Sequence, residues 1–142
     1  MYEKILCPVD GSKIAQRSLR EAVRLASFLK AQLLVLHIID NTDFIVYPSP
    51  ESPIADYMTA QGRSVLKKAV KSAQKKHADV ESRLVEIRKG RVSAAIVAEA
   101  KRWRADVIVM GTHGRRGLAS LVLGSDATAV VAASPVPVLL IK

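Results

Sequence analysis

Short apolar runs alternate with longer amphipathic segments along this chain of 142 residues. The apolar runs have the length of buried strands and are bounded by polar or turn-forming residues. This pattern predicts five strands: Lys4–Val9, Gln32–Ile39, Val80–Ile87, Asp106–Met110 and Val138–Ile141. The third strand carries four charged or polar residues and alternates weakly, so we expect it at an edge of the sheet.

Apolar residues at helical spacing fill the stretches between the strands. Ser12 is a typical N-cap residue, and the first helix has its apolar residues three or four positions apart: Ala15, Leu19, Ala22, Ala26 and Leu29. Further helices are predicted at Ala55–His77, Val92–Trp103 and Ser125–Ala133. The stretch Asp40–Pro53 contains three prolines and is predicted to be a loop.

Regular alternation of strands and helices predicts an α/β fold, with an open parallel sheet and helices on both faces. The length favours one domain over residues 1–142. Hydrophobic residues make up 49% of the chain but aromatic residues only 4%, so the core is built from small aliphatic side chains. Cys7 is the only cysteine and lies inside a predicted strand, so we interpret it as a small buried side chain.

No apolar run approaches the roughly 18 residues that a membrane span needs. The first residues also lack the basic start and apolar stretch of a signal peptide. We therefore expect a cytoplasmic protein with no membrane partner.

The formal net charge of +9 needs its own explanation. Much of it lies in the stretch Arg63–Lys76, where apolar residues at core spacing make the lysines the solvated face of one helix. No zinc-finger spacing or aromatic RNA platform accompanies the charge, so we expect no specific nucleic-acid binding. A salt-dependent interaction of this helix with an anionic surface stays a separate hypothesis.

Glycines punctuate the chain directly after the fourth predicted strand. Gly111 ends the apolar run, Gly114 follows, and Gly124 precedes Ser125 at the start of a helix. Glycines let a backbone approach a phosphate closely, and a helix N-terminus offers unpaired N–H groups. The spacing therefore predicts an anion-binding loop. No P-loop or dinucleotide-binding glycine pattern is present.

Asp10 follows the first strand, where open α/β sheets bind their ligands. If the first and fourth strands are neighbours, Asp10 faces the glycine loop across a crevice and accepts hydrogen bonds from a ribose or an adenine amino group. The simpler alternative is that Asp10 and Ser12 only form the turn and the helix cap.

The pattern G-x2-G-x9-G-[ST] of the glycine loop resembles the nucleotide-binding signature of the universal stress protein family. The opening KILCPVDGS and the closing SPVPVLLIK resemble the first and last strands of that family. The resemblance runs essentially end to end and is weakest over Asn41–Glu81. It implies a Rossmann-like five-stranded sheet in the order 3-2-1-4-5, which places the first and fourth strands side by side.

The resemblance also implies a site for ATP or another adenine nucleotide, with Mg²⁺ or Mn²⁺ bridging the phosphates. By position, Val9 and Asp10 would meet adenine and ribose, and the backbone of Ile38 would meet the adenine edge. Pro8 and Met110, at the ends of their strands, belong to the same expected site.

The glycine loop supplies the phosphate end of the implied site. Gly111 would approach the ribose and the nearby phosphate, while Gly114, Gly124 and Ser125 would cradle the phosphates. His113 also lies in this loop, where it either touches a phosphate or is simply exposed.

The charged residues of the loop leave alternatives open. Arg115 and Arg116 either contact phosphates or are exposed loop charges. Asp126 stands where the family often has an apolar or small residue. Its carboxylate would repel a triphosphate, point away as an acid favoured by the helix dipole, or help to hold Mg²⁺ through water.

Two further side chains are interpreted as structural. His37 ends a strand and is expected to be hydrogen-bonded in the interior. Trp103 ends the apolar face of a helix and is expected to pack in the core or an interface rather than to stack on a ligand.

Our leading hypothesis is an ATP-binding universal stress protein that acts as a nucleotide-responsive homodimer in the stress response. We expect at most slow ATP hydrolysis, because no Ser-His-Asp set or suitably paired carboxylates are evident. The resemblance implies a homodimer through the apolar last strand, Val136–Ile141. The alternative is a nucleotide-independent dimeric interaction module of the same fold.

Overall fold

The computed structural model of the chain describes residues 1–44, 53–114 and 122–142. The strands are β1 Lys4–Pro8, β2 Gln32–Asp40, β3 Val80–Ile87, β4 Val107–Gly111 and β5 Val138–Ile141. The α-helices are α1 Lys13–Leu29, α2 Pro53–Gln74, α3 Val92–Trp103 and α4 Ser125–Ala133. A short 3-10 turn at Thr42–Phe44 follows β2.

The five strands form one parallel sheet in the order β3-β2-β1-β4-β5. The predicted α/β fold, the order implied by the family resemblance and the edge position of β3 are therefore confirmed. Strand β1 pairs with β2 on one side and β4 on the other, with Ile5 opposite Val107. The winding direction reverses between β1 and β4, which leaves a crevice beyond their carboxyl ends.

The sheet is covered by helices on both faces. One core cluster joins buried residues of α1, α2 and the sheet, among them Leu19, Val23 and Leu66. The other joins α3, α4 and the opposite face of the sheet, among them Ile96 and Val130. Aliphatic side chains dominate both clusters, as the composition predicts.

The ends of the elements differ from the predicted bounds by up to three residues. Helix α2 begins at Pro53 rather than Ala55, because proline is well tolerated in the first turn of a helix. It ends at Gln74 rather than His77. The ring of His77 is instead hydrogen-bonded to the carbonyl of Ala31 at 2.8 Å, which holds the end of α2 beside α1.

Strand β4 begins one residue later than predicted. The carboxylate of Asp106 accepts hydrogen bonds from the N–H groups of Glu3 and Lys4, both at 2.8 Å. Asp106 therefore anchors the start of β1 beside β4. In the predicted loop Asp40–Pro53, the Thr42–Phe44 turn is defined, and residues 45–52 lie outside the described part of the chain.

The interpretations of Cys7 and Trp103 as buried structural residues are confirmed. Cys7 is fully buried in β1, and this burial raises the pKa of its thiol to about 12. Trp103 is buried in the second core cluster, its indole N–H donates to Glu81 at 3.3 Å, and the Lys4 ammonium lies over its ring.

Helix α2 packs unusually close to β2 at Gly62. A Cβ on this glycine would lie 2.7 Å from Cγ1 of Ile39, so a larger residue would push the helix away. Within the described residues, no helix is long and apolar enough to cross a membrane.

Candidate functional site

A cleft lies beyond the carboxyl ends of β1 and β4, where the topology predicts a ligand site. It holds about 540 Å³ of space when the open mouth is included. Strand ends and the first turns of three helices, α1, α3 and α4, supply its walls. The lining residues are Pro8, Val9, Asp10, Ala15, Ile38, Val92, Ile96, Met110, Gly111, His113, Gly114, Asp126 and Ala127.

Asp10 is held by the turn that joins β1 to α1. Its Oδ1 atom accepts a hydrogen bond from the Ser12 N–H at 2.9 Å, and the Ser12 hydroxyl caps α1 by accepting from the Ala15 N–H. Gly11, between them, has φ of 84°, which favours glycine in this tight turn. The turn and helix cap predicted for Asp10 and Ser12 are therefore confirmed. The same carboxylate also lines the cleft, and its contact with a ribose or an adenine stays a prediction.

His37, on β2, holds the residue that follows β1 through a hydrogen bond. Its Nδ1 lies 2.7 Å from the carbonyl oxygen of Val9, so this nitrogen carries the proton and donates it. The N–H of Val9 donates to the Leu36 carbonyl at 2.8 Å. The interpretation of His37 as a hydrogen-bonded interior residue is confirmed, and Val9 offers the cleft its side chain rather than its N–H.

Ile38 reaches the cleft because β1 is shorter than β2. The last residue pair of these strands joins Pro8 to Leu36, so Ile38 lies two residues beyond the paired region. Its backbone edge on the side of β1 is therefore directed towards the cleft. This position is where the resemblance places the contact with adenine.

Part of the apolar wall of the cleft was not predicted from the sequence. Val92 and Ile96, on the first turns of α3, join Met110 and Pro8 there. Ile96 is 3% exposed and Met110 6% exposed, so this wall is continuous with the core. The sequence predicts a helix over Val92–Trp103, but it could not show that this helix begins beside the ends of β1 and β4.

The three glycines of the pattern have different neighbours. A Cβ on Gly111 would lie 3.0 Å from the side chain of Ile14, and one on Gly124 would lie 3.1 Å from the Thr112 carbonyl oxygen. These two glycines allow close packing of α1 and of the loop. Gly114 is different, because the nearest atom to its added Cβ is Oδ2 of Asp10, at 3.2 Å.

Two helices begin at the cleft without a side-chain cap. The residues that precede them, Arg91 for α3 and Gly124 for α4, make no side-chain capping hydrogen bond. The first turn of α4 contributes Asp126 and Ala127 to the lining. N–H groups at such a helix start have no intrahelical acceptor, and the helix dipole favours an anion there.

His113 closes the glycine loop on itself. Its Nε2 donates to the carbonyl of Val122, and its Nδ1 is 3.0 Å from the hydroxyl of Thr112. In the neutral ring, Nδ1 accepts from that hydroxyl. Both nitrogens thus have protein partners, which makes His113 a residue that shapes the loop.

Nine of the residues expected in the site line the cleft, and four do not lie among its described lining residues. Gly124 and Ser125 are not among the lining residues. Gly124 donates its N–H to the Thr112 carbonyl at 2.8 Å, and Ser125 is the exposed first residue of α4. Arg115 lies outside the described part of the chain, as does Arg116. Among the described lining residues the charged groups are two carboxylates, Asp10 and Asp126, and no lysine or arginine.

Comparison with known proteins assigns the whole chain to one protein family. The sequence profile of the universal stress protein family matches residues 1–142. A universal stress protein of Thermus aquaticus is 34% identical over 149 residues, covering all of both chains. Universal stress protein MJ0531 of Methanocaldococcus jannaschii is 31% identical over 144 residues, covering all of this chain and 83% of the relative.

Solved structures share the fold and, in two cases, hold a nucleotide. Protein MJ0577 superposes with a TM-score of 0.88 at 27% identity, covering all of this chain and 96% of the other. A universal stress protein in complex with cAMP has a TM-score of 0.76 at 26% identity, covering 99% of this chain and 97% of that chain. One from Archaeoglobus fulgidus in complex with dAMP has a TM-score of 0.75 at 25% identity, covering all of this chain and 98% of that chain.

Proposed function

Because the chain belongs to the universal stress protein family, we propose that its cleft binds an adenine nucleotide, with ATP the leading ligand. We further propose that the protein is a cytoplasmic homodimer that responds to this nucleotide in the stress response. The neighbours in complex with cAMP and dAMP support an adenine nucleotide as the class of ligand.

The observation that carries this proposal is the division of the cleft into two chemically different ends. One end is apolar, with Ile96 and Met110 in its wall, and suits the faces of an adenine ring. The other end joins glycine backbone to the uncapped start of α4, which suits a phosphate. Asp10 lies between the two ends, where a ribose hydroxyl would donate to its carboxylate.

The position of each expected site residue then indicates which part of the nucleotide it would contact. Val9 packs against the base, and the open backbone edge of Ile38 meets its polar rim. Gly114 leaves room for phosphate beside Asp10, and the N–H groups that begin α4 at Ser125 face the phosphate chain. Arg115 stays a proposed phosphate contact, since it lies outside the described residues.

A divalent cation suits the charge of this cleft. Asp10 and Asp126 place two carboxylates in the lining, and the described residues contain no group of three or more metal-ligating side chains. Mg²⁺ or Mn²⁺ would therefore be held mainly by the phosphates, and it would neutralise phosphate charge near the carboxylates. Asp126 would contact it through water.

We propose binding with at most slow hydrolysis. The Asp10 carboxylate already accepts a hydrogen bond from the Ser12 N–H, and both ring nitrogens of His113 have partners. Neither group is set up as a free general base.

One observation favours a second candidate, a dimeric interaction module that needs no nucleotide. Asp126 lines the cleft at the phosphate end, so its carboxylate would oppose an unneutralised triphosphate. In this alternative the fold and the dimer surface carry the function.

The first experiment is to unfold freshly purified protein and identify any released small molecule by chromatography and mass spectrometry. We expect an adenine nucleotide in the released fraction, or binding of Mg-ATP by the stripped protein. Protein that releases no nucleotide, and then binds neither Mg-ATP nor AMP, would favour the interaction module.

A further inference from the structure

The positive charge of the chain is concentrated on one side of the sheet. Residues 13–30 and 53–76, which form α1, α2 and their ends, carry eleven Lys and Arg against two Asp and Glu. This difference of nine equals the formal net charge of the whole protein, +9. The remaining residues, including those of α3 and α4, therefore balance to zero.

Helices α1 and α2 lie side by side on that face. Their apolar sides share one core cluster on the sheet. The two helices meet at their C-terminal ends. The hydroxyl of Ser27 donates to the carbonyl of Lys76 at 3.3 Å, and the ring of His77 is hydrogen-bonded to the carbonyl of Ala31. The two helices are about 25 and 33 Å long, so together they form a broad outer surface, here called the basic face.

The outermost line of α1 has a regular composition. Five of the exposed residues of α1 are spaced by four, three, four and four positions, so they lie along one stripe of the helix: Lys13, Arg17, Arg20, Arg24 and Phe28. The stripe ends in Phe28, which is 86% exposed. A phenylalanine at this exposure gains nothing from the fold itself.

The cations of the basic face are largely unpaired. Among the described residues, the only ion pair that involves one of them joins Arg24 to Glu21 at 3.0 Å. The lysines and arginines of α2 form none, and Lys67, Lys68 and Lys71 are exposed. The surface therefore presents charge that is available to an external anion.

We propose that the basic face docks on the surface of an anionic lipid bilayer, which replaces the expectation from the sequence that the protein has no membrane partner. Arginine and lysine would contact the lipid phosphates, and Phe28 would enter the boundary between headgroups and acyl chains. None of the stripe residues and no residue of α2 lines the nucleotide cleft, so the proposed lipid contacts do not use that site.

The exposed aromatic residues favour lipid over nucleic acid as the partner. A nucleic-acid duplex offers phosphates but no apolar layer for Phe28. The other exposed aromatic residue in the described part of this face, Tyr57, lies near the start of α2, at the opposite end from Phe28. The two rings therefore do not form a platform for stacking successive bases.

The test uses the full chain and vesicles of phosphatidylcholine with about one third phosphatidylglycerol, at about 0.1 M salt. Co-sedimentation is measured for the wild type, for Phe28→Ser and for the double variant Arg17→Glu with Arg20→Glu. The control is Lys89→Glu with Lys101→Glu, which removes the same charge from exposed positions away from the basic face. Unchanged circular dichroism establishes that the variants fold.

We expect the wild type to bind anionic vesicles and to ignore pure phosphatidylcholine. The Arg17 and Arg20 double variant should lose at least about tenfold in partitioning, and the control pair much less. Phe28→Ser should weaken binding even where salt has already screened the charges. The proposal is overturned by absent vesicle binding, by equal losses in both double variants, or by binding of duplex DNA in place of vesicles.

Discussion

The carboxylate of Asp10 lies opposite Gly114: the Oδ2 atom is 3.2 Å from where a Cβ on that glycine would be. These residues are 104 positions apart in the chain and follow two different strands. They meet because β1 and β4 are neighbours, with Leu6 opposite Ile108. The nucleoside and phosphate ends of the proposed site are joined at this point, so substitutions on its two sides are expected to have different effects.

Replacing Asp10 with alanine should weaken adenosine and ATP by the same factor, about tenfold. The proposed partner of the carboxylate is the ribose, which both ligands share. Equilibrium titration with each ligand measures the two losses. Asp10→Asn is the control, because its side-chain oxygen can still accept from the Ser12 N–H and preserve the turn.

A loss confined to ATP would contradict this role and would place Asp10 near the phosphates. Unchanged affinities in Asp10→Ala would remove the carboxylate from the site altogether.

Replacing Asp126 with alanine should strengthen ATP binding by about tenfold when Mg²⁺ is absent. The variant removes a negative charge from the first turn of α4, where the cleft lining includes this residue. Adenosine should bind equally to both proteins, since it carries no phosphate. Calorimetry with and without Mg²⁺ separates these effects, and Asp126→Asn should behave like the alanine variant.

If ATP affinity is the same in all three proteins, the carboxylate of Asp126 points away from the phosphates. If only the two variants bind ATP, the wild type is better described as the nucleotide-independent module.

The outer edge of β5 should hold the proposed dimer together. Leu139 is 43% exposed on this strand, which pairs with β4 along its inner edge. Leu139→Asp should therefore convert a dimer to a monomer in size-exclusion chromatography with light scattering. Ser82→Asp, an exposed change on β3 at the opposite edge, should leave the dimer intact. A dimer that tolerates Leu139→Asp would require another interface.

The buried thiol of Cys7 should make stability fall at high pH. Its pKa is about 12 in the folded protein, against an ordinary value of 9.0. Above pH 9 the unfolded chain releases this proton while the folded chain keeps it, so unfolding becomes more favourable. The loss reaches about 1.4 kcal/mol by pH 10.

Urea unfolding of the wild type and Cys7→Ala at about pH 8 and about pH 10 isolates this contribution. The stability difference between the two proteins should shrink by that amount at the higher pH. A constant difference, together with rapid reaction of the native thiol with a disulfide reagent, would show that Cys7 is accessible.

The sequence pattern predicted the strands and helices well because apolar periodicity follows directly from burial. Its errors lie at the ends of elements. Pro53 is accepted in the first turn of α2, and Asp106 binds the N–H groups of Glu3 and Lys4 instead of continuing β4. The order of the strands came from the family resemblance, since periodicity carries no information on which strands are neighbours.

The candidate site was predictable where glycine or charge marked it, and less so where ordinary aliphatic residues form it. Asp10 and Gly114 stood out by type and position, while Val92 and Ile96 looked like any other core residues. No role was predicted for Phe28, which is 86% exposed and lies outside the apolar face predicted for the first helix.

The most direct measurement of nucleotide binding is calorimetric titration of the stripped protein with Mg-ATP, for the wild type and for Gly114→Val. A Cβ at position 114 meets Asp10 rather than the core, and Gly114 is not among the glycines with positive φ, so the variant should fold normally. Ala98→Val, an exposed change on α3 away from the cleft lining, is the control. Our account predicts saturable binding by the wild type and the control, and its loss in Gly114→Val with unchanged melting temperature. Equal binding by all three proteins would show that the nucleotide does not occupy this cleft.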